Sequence, residues 1–453
     1  MRANILIRYS TLIILAGVAM IPTTRAGGTT SLMQPALDTI QRQVQNRAEQ
    51  MVERAVERQA TQTIQQQQLP SLPHGPAELP DRLPILAPDG SEAFADVRVE
   101  AGWRAVERQW LVMVDSAGAG PLQQPGIEII DRTALPALGL ELVRFRVDAA
   151  LDSRAALKRI LPASLVERLD RNHIYSPQGD GRTDHPGQGS AAGAACDQSL
   201  TLGMVDTAIQ TGHQSLAGAR IVQKHFLADT PLAEPFRQPE AHGTAVASLL
   251  VGRLPERAVA PLPEATLVNA SVFYGRQQLA SGATLMHLVK ALNWLVSRNV
   301  DVINISMAGP DNRLLATVVR RVSEQGIPMI AAVGNQGPAA PPLYPAAYPE
   351  VIGVTAVDGE HRIYRWANRG EQVAFAAPGV DVTVADSTGG FRSQSGTSMA
   401  TPLVAARLAC AMAAAPAPLP DLVQQLASQA VDLGEAGKDP VFGYGLLAPD
   451  QPE

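Results

Sequence analysis

Three short stretches, far apart in a chain of 453 residues, carry side chains that could cleave an acyl bond if folding joined them. "LGMVDTAIQTG" (Leu202–Gly212) ends an apolar run in Asp206. "EAHGTAVASLLVG" (Glu240–Gly252) sets His242 just ahead of Gly243, Thr244 and an Ala/Val/Leu helix. "SGTSMATP" (Ser395–Pro402) offers Ser398 where a loop enters the apolar run "TPLVAARLACAMAAA". A serine hydroxyl is a poor nucleophile until an imidazole takes its proton, and a buried carboxylate then fixes the imidazole's tautomer and stabilises the imidazolium. A helix start supplies unbonded backbone N–H groups and the positive end of a dipole, which suit negative charge growing on a substrate oxygen. Gly396 leaves room beside the hydroxyl, and Pro402 falls in the opening turns, where a missing N–H is tolerated. A fourth stretch, "AAVGNQGP" (Ala331–Pro338), puts Asn335 after a buried strand, where its amide could donate to an oxyanion. Singly, each has a plainer reading: a turn or capping aspartate, a surface histidine, a serine capping a core helix.

The elements around these residues alternate. Apolar runs at Leu200–Asp206, Thr266–Phe273, Asp301–Met307, Pro328–Gly334 and Val351–Val357 read as buried strands. Between them lie helix candidates at His242–Val251, Leu285–Arg298 and Leu314–Glu324. In the second of these, Leu285, Leu288, Val289, Leu292 and Leu295 form one face. Strand–helix alternation predicts an α/β fold: a mainly parallel, doubly wound sheet flanked by helices. Asp206 then stands at the carboxyl end of a strand, where such folds place their sites.

Upstream the texture differs. Arg2 and Arg8, an apolar run from Ser10 to Ile21 and "TRA" before Gly27 predict an export signal over residues 1–26. The run is shorter than the roughly 20 residues a membrane span needs, and no later stretch is expected to be long and apolar enough to cross a membrane. Residues 27–68 carry a narrow stripe (Leu37, Ile40, Val44, Ala48, Met51, Ala55) that predicts an amphipathic helix with an unknown partner. Residues 69–90 are proline-rich and read as a linker. Residues 91–178 read as a small α+β domain: strands at Arg108–Asp115, Gly126–Asp131 and Leu140–Asp148, a helix capped by Asp152 or Ser153, a second helix over Ala163–Asp170 and a last strand at Asn172–Pro177. Residues 179–195, rich in Gly and small side chains, read as a second linker open to nicking, and residues 196–453 form the α/β domain.

Charged residues are 18% of the chain and the net charge is −6, with no basic run, so nothing points to a nucleic-acid partner. No Cys/His cluster has zinc spacing. Cys196 and Cys410 either pair, as an exported protein would permit, or Cys410 is a small buried hydrophobe.

At these residues the chain resembles the subtilases, the subtilisin-like serine peptidases. "MVDTAI", "HGTAVA", "AAVGNQGP" and "SGTSMATP" look like the family's aspartate, histidine, oxyanion-asparagine and serine motifs, in the family's order Asp…His…Ser. The resemblance covers roughly Leu200 to Leu447. It implies a subtilisin-like fold and a peptidase acting on polypeptides through an acyl-enzyme, with Asp206, His242 and Ser398 as the triad and Asn335 as oxyanion donor. It also implies that "VINISMAGP" (Val302–Pro310) binds extended substrate through the backbone of Ser306, Met307, Ala308 and Gly309. No cofactor is required for this chemistry. Calcium is common in the family, but no ligand set is assignable. The 91–178 domain has the position and size of the family's propeptide, which would make it a partner of the catalytic domain, with self-cleavage expected within Gln178–Ala195. The chain departs from the family at Ala245, where a second histidine is usual, at Met307 and Ala308 ("SMAG" for "SLGG"), and at Ala208, where glycine is usual. None of these removes a catalytic group.

Two rivals stand beside an exported endopeptidase, periplasmic or secreted. One is a catalytically silent peptide-binding or scaffolding protein on the same fold. The other is an esterase, whose GxSxG motif and Ser…Asp…His order this chain does not follow.

Overall fold

Every second side chain of the run Trp110–Val114 packs into a different core. Trp110, Val112 and Val114 join Phe145, Leu157 and Leu165 on one side, while Leu111 and Met113 join Leu142, Leu285 and Leu315 on the other. This period of two is that of a strand buried on both faces. The computed structural model describes residues 79–87, 90–114, 120–178, 181–183, 196–227, 238–255, 259–276 and 280–447. The expected signal peptide, the 27–68 helix and the first part of the proline-rich stretch lie outside the described residues.

The N-terminal part holds β1 (Arg82–Leu86), β2 (Glu92–Arg98), β3 (Arg104–Val114), β4 (Ile127–Leu135), β5 (Leu140–Val147), helices α1 (Arg154–Ile160) and α2 (Ala163–Val166), and β6 (Leu169–Pro177). Its strands pair antiparallel, with β3 between β5 and β6 and β4 beyond β5. Ser153 caps α1 by accepting from the Ala156 N–H at 3.1 Å. Across the sheet, Arg171 is held between Glu100 and Asp152 and lies 4.5 Å from the centre of the Trp110 ring.

Several boundaries differ from the sequence reading, two of them through pairing with neighbouring strands. β1 lies within the stretch read as a linker, where it pairs with β2 and buries Leu83 and Ile85 against Tyr274 and Leu227. The helix expected over Ala163–Asp170 stops at Val166, because Leu169 and Asp170 pair with Val112 and Leu111 and so begin β6.

After β7 (Gly181–Thr183) the chain forms β8 (Thr201–Asp206), β9 (Arg220–His225), α3 (Ala241–Val251), β10 (Thr266–Ser271), β11 (Tyr274–Arg276), β12 (Ala280–Thr284), α4 (Leu285–Ser297), β13 (Val302–Ile305), β14 (Met307–Ala308), α5 (Arg313–Glu324), β15 (Met329–Ala332), β16 (Val351–Val357), β17 (Val373–Pro378), β18 (Val382–Ala385), β19 (Phe391–Ser395), α6 (Thr397–Ala414) and α7 (Leu419–Gln429). Seven strands form one parallel sheet in the order β17-β16-β15-β13-β8-β10-β9. The faces alternate again. Val205, Ile303 and Met329 meet α4 and α5, whereas Met204, Val302 and Ile330 meet α3, α6 and α7. The outer faces of α4 and α5 receive Leu111, Met113, Leu135 and Leu142 of the N-terminal sheet. That accounts for the wide apolar face of α4, which meets a sheet on each side.

Helix α6 is long and apolar enough to cross a membrane by length and composition, contrary to the sequence expectation, yet Met399, Ala400, Val404, Ala405 and Leu408 are buried in the core of the sheet. Cys196 and Cys410 are not joined by a disulfide.

Candidate active site

Asp206 is the last residue of β8, His242 the second residue of α3 and Ser398 the second residue of α6. These elements bring all three together in the interior. His242 Nδ1 lies 2.7 Å from Asp206 Oδ1, and His242 Nε2 lies 3.0 Å from Ser398 Oγ. With Nδ1–H donating to the carboxylate, Nε2 is left as the acceptor for the serine proton. Exposure is 0% for Asp206 and Ser398 and 7% for His242, so the pair interactions act in a poorly screened medium.

Local packing fixes each group. Asp206 Oδ1 also accepts from the Thr207 N–H at 2.6 Å. Thr207 Oγ1 accepts from the Gly243 N–H at 2.7 Å, tying the first turn of α3 to the end of β8. A Cβ at residue 243 would stand 2.5 Å from the Thr207 carbonyl oxygen and 2.7 Å from that of Ala208. Only glycine lets the histidine-bearing turn come this close. Ala245, where the resemblance would expect histidine, is fully buried in the apolar core under α3, a position that a small side chain fills without a polar partner.

Asn335 follows β15 and is oriented from both ends. Its Oδ1 accepts from the Thr397 N–H at 3.1 Å and the Thr397 hydroxyl at 2.9 Å, so the amide NH2 is the end left for an oxyanion. Asn368, fully buried, braces the same loop. It accepts from the Gln336 N–H at 2.9 Å, donates to the Pro341 carbonyl at 3.0 Å and gives its backbone N–H to the Gly334 carbonyl. Gly334, at φ 108°, sits where a Cβ would run into Leu343 and approach Asn368.

The cleft is filled by the chain's own β6. Ile174 and Tyr175 pair with Thr284 and Ala283 of β12, and Ser176 and Pro177 pair with Ala308 and Met307 of β14. The Gln178 N–H donates to the Ser306 carbonyl at 3.2 Å. Gly309 lies against the Tyr175 ring, whose hydroxyl donates to the Pro310 carbonyl at 3.1 Å. Ser306, Met307, Ala308 and Gly309 thus all face one extended strand. At its end the Gln178 carbonyl oxygen accepts from the Ser398 N–H at 3.1 Å and meets the Ser398 hydroxyl, while Gln178 Oε1 accepts from the Asn335 N–H at 2.9 Å.

Sequence reasoning missed several of these residues. Thr207, Thr397 and Asn368 act only through positioning bonds that no spacing announces. The β11–β12 pair, with Gly275, Ser281 and Gly282 inside it, lacks an apolar alternation. The only signal at Gln178 was its place between a periodic strand and a glycine-rich run. Among the described residues no group of three or more His, Cys, Asp or Glu side chains is placed to hold a metal ion.

Comparison with known proteins agrees with the geometry. Residues 197–445 match the subtilase family. The chain is 32% identical over 215 residues to the minor extracellular protease Epr of Bacillus subtilis (strain 168), covering 47% of this chain and 33% of Epr, so it spans about a third of that relative's length. It is 29% identical over 313 residues to subtilisin amylosacchariticus of Bacillus subtilis subsp. amylosacchariticus, covering 66% of this chain and 78% of the relative. The crystal structure of fervidolysin from Fervidobacterium pennivorans shares the fold at a TM-score of 0.60 and 18% identity, covering 84% of this chain and 64% of that one. The chain therefore belongs to the subtilase family, the subtilisin-like serine peptidases.

Proposed function

We propose that the chain is the precursor of an exported serine endopeptidase and that its N-terminal α+β part is both its first substrate and its first inhibitor. The observation that carries this reading is the Gln178 carbonyl, seated on the Ser398 N–H and hydroxyl beside His242. Ser398 Oγ attacks the Gln178 carbonyl carbon as His242 Nε2 takes the hydroxyl proton. Asp206 holds Nδ1–H and offsets the imidazolium charge. The oxyanion is stabilised by the Ser398 N–H, on the open first turn of α6, and by the Asn335 amide. Collapse breaks the bond from Gln178 to the Gly179 nitrogen, which leaves with the proton from His242. Water, deprotonated by His242, then opens the Gln178–Ser398 ester, giving a Gln178 carboxylate and the restored hydroxyl. Polypeptides presented as extended strands to β12 and β14 are the substrates in trans.

Time-resolved intact-mass analysis tests the reading. The wild-type chain should break between Gln178 and Gly179, and Ser398→Ala should stay whole. Equal cutting of both proteins, or a first cut elsewhere in the wild type, would overturn it.

A further inference from the structure

We infer that the site selects glutamine as the residue before the bond it cuts, reading the side-chain amide with the main-chain N–H of Asn335. The inference rests on the peptidase reading above and names the polypeptides that this site prefers. The Gln178 side chain is buried. Its Oε1 accepts from the Asn335 N–H at 2.9 Å, and its Nε2 donates to the Ser176 carbonyl at 3.2 Å, two residues earlier on β6. Both partners are main-chain groups with a fixed role: an N–H only donates and a carbonyl only accepts. The amide therefore has one orientation, with its oxygen on the enzyme loop and its nitrogen on the substrate's own backbone.

The neighbours of the Asn335 N–H are committed elsewhere. The Gly334 N–H donates to Thr397 Oγ1 at 3.3 Å, the Gln336 N–H to Asn368 Oδ1 at 2.9 Å and the Gly337 N–H to the Trp366 carbonyl at 2.8 Å. These bonds stay within the catalytic domain and fix the direction of the N–H between them, which is the one that reaches Gln178. Asn335 then serves twice. Its main-chain N–H holds the side chain of the residue being cut, while its side-chain amide, held by Thr397 through Oδ1, is turned to the oxyanion. A side chain that bonds the N–H steadies the residue that meets the transition state, so the preference falls on kcat as well as KM. Methionine has nearly the same length but leaves the donor unpaired in a filled cleft. Glutamate supplies an acceptor, yet it sets its second oxygen against the Ser176 carbonyl and buries a charge. Asparagine is one methylene too short to reach both groups.

A kinetic and an exchange measurement test this. The first uses the self-processed protein and quenched peptides that differ only in the residue after Tyr-Ser-Pro: glutamine, methionine or glutamate. Glutamine should exceed each of the others in kcat/KM at pH 7.5 by about 10–100-fold, the scale for one buried polar group left unsatisfied. Methionine or glutamate cut as fast as glutamine overturns the inference while leaving the peptidase reading intact. The second measurement needs no catalysis. In the full-length Ser398→Ala chain, amide hydrogen exchange at Asn335 is compared with and without Gln178→Met. Exchange about tenfold faster at Asn335, the worth of one net hydrogen bond, with Gly334 and Gln336 unchanged, is expected. Unchanged exchange at Asn335 overturns the inference. If no peptide is cut although exchange responds as expected, the peptidase reading falls and the recognition of the glutamine amide stands.

Discussion

Acid should loosen the N-terminal part from the rest of the chain, through His173. This residue of β6 is buried, and its Nδ1 lies 2.9 Å from the Asn312 Nδ2 amide. Asn312 cannot turn its amide around cheaply. Its Oδ1 caps α5 by accepting from the Leu314 and Leu315 N–H groups, and its Nδ2 also donates to the Arg171 carbonyl at 3.1 Å. Nδ1 must therefore accept, which requires a neutral ring, and a proton there would face an N–H. Burial pushes the His173 pKa below its ordinary value. Arg171 and Arg154 push the same way, whereas Asp170 and Glu100 oppose the shift. A histidine whose pKa is lowered by docking favours the docked state fully above its free pKa, and that advantage is lost as pH falls below about 6.5. The loss is at most about 1.4 kcal/mol per pH unit. Between pH 6.5 and 5 the ceiling is about 2 kcal/mol, or a roughly thirtyfold weaker complex. The assay dilutes the self-processed protein at each pH, separates by size and measures how much of the cleaved piece stays bound. His173→Asn should flatten the dependence, since its side-chain oxygen can accept from Asn312 at any pH. A wild-type complex equally tight at pH 7.5 and 5, or a His173→Asn complex with the wild-type slope, would refute the reasoning.

Three further outcomes follow from the packing. Gly243→Ala sets a Cβ 2.5 Å from the Thr207 carbonyl oxygen; it should destabilise the fold by about 1–3 kcal/mol in denaturant unfolding and lower kcat more than it raises KM, because α3 moves away from Asp206. Asn335→Ala should slow self-cleavage and peptide turnover by about 10²–10³ with little change in KM, the scale for one oxyanion donor. Gly309→Ala puts a Cβ inside contact distance of the Tyr175 ring, so peptides with tyrosine three residues before the scissile glutamine should lose kcat/KM by tenfold or more against wild type, while peptides with alanine there are nearly unaffected.

The three side chains that meet in the interior were legible in the sequence as candidates because each sits at a backbone position that leaves a local signature. Asp206 ends an apolar strand, His242 precedes a glycine that packing demands, and Ser398 opens a buried helix. The parallel sheet was legible for the same reason: β8, β13, β15 and β16 are near-continuous apolar runs, as strands covered on both faces must be. What escaped notice was whatever depends on pairing between distant segments. β1 reads as linker because Arg82 and Pro84 suit an edge, and only β2 beside it makes it a strand. β7 lies in a run of glycine and polar residues with no periodicity, and β19 alone gives it an extended partner. The bonds of Asn312 to His173 join two parts of the chain that show no common pattern.

Occupation of the cleft by β6 has a consequence for activation. β6 is held by two kinds of contact that cleavage does not touch: its ladder with β12 and β14, and the apolar face of β3 and β5 against α4 and α5. Cutting after Gln178 removes one covalent link and leaves both in place. The contacts that align the bond as substrate then retain the new Gln178 carboxylate as product. Rebinding is favoured further while the piece is near, since a tethered or freshly released segment has a high effective concentration. On the proposed reading the rate at which activity emerges is therefore set by undocking of the N-terminal part rather than by the chemistry at Ser398. Weakening the interface far from the triad, at Leu111 or Met113, should accelerate the appearance of activity after cleavage without changing kcat on peptides. An activation rate that instead follows the cleavage rate would mean that the cut alone opens the site.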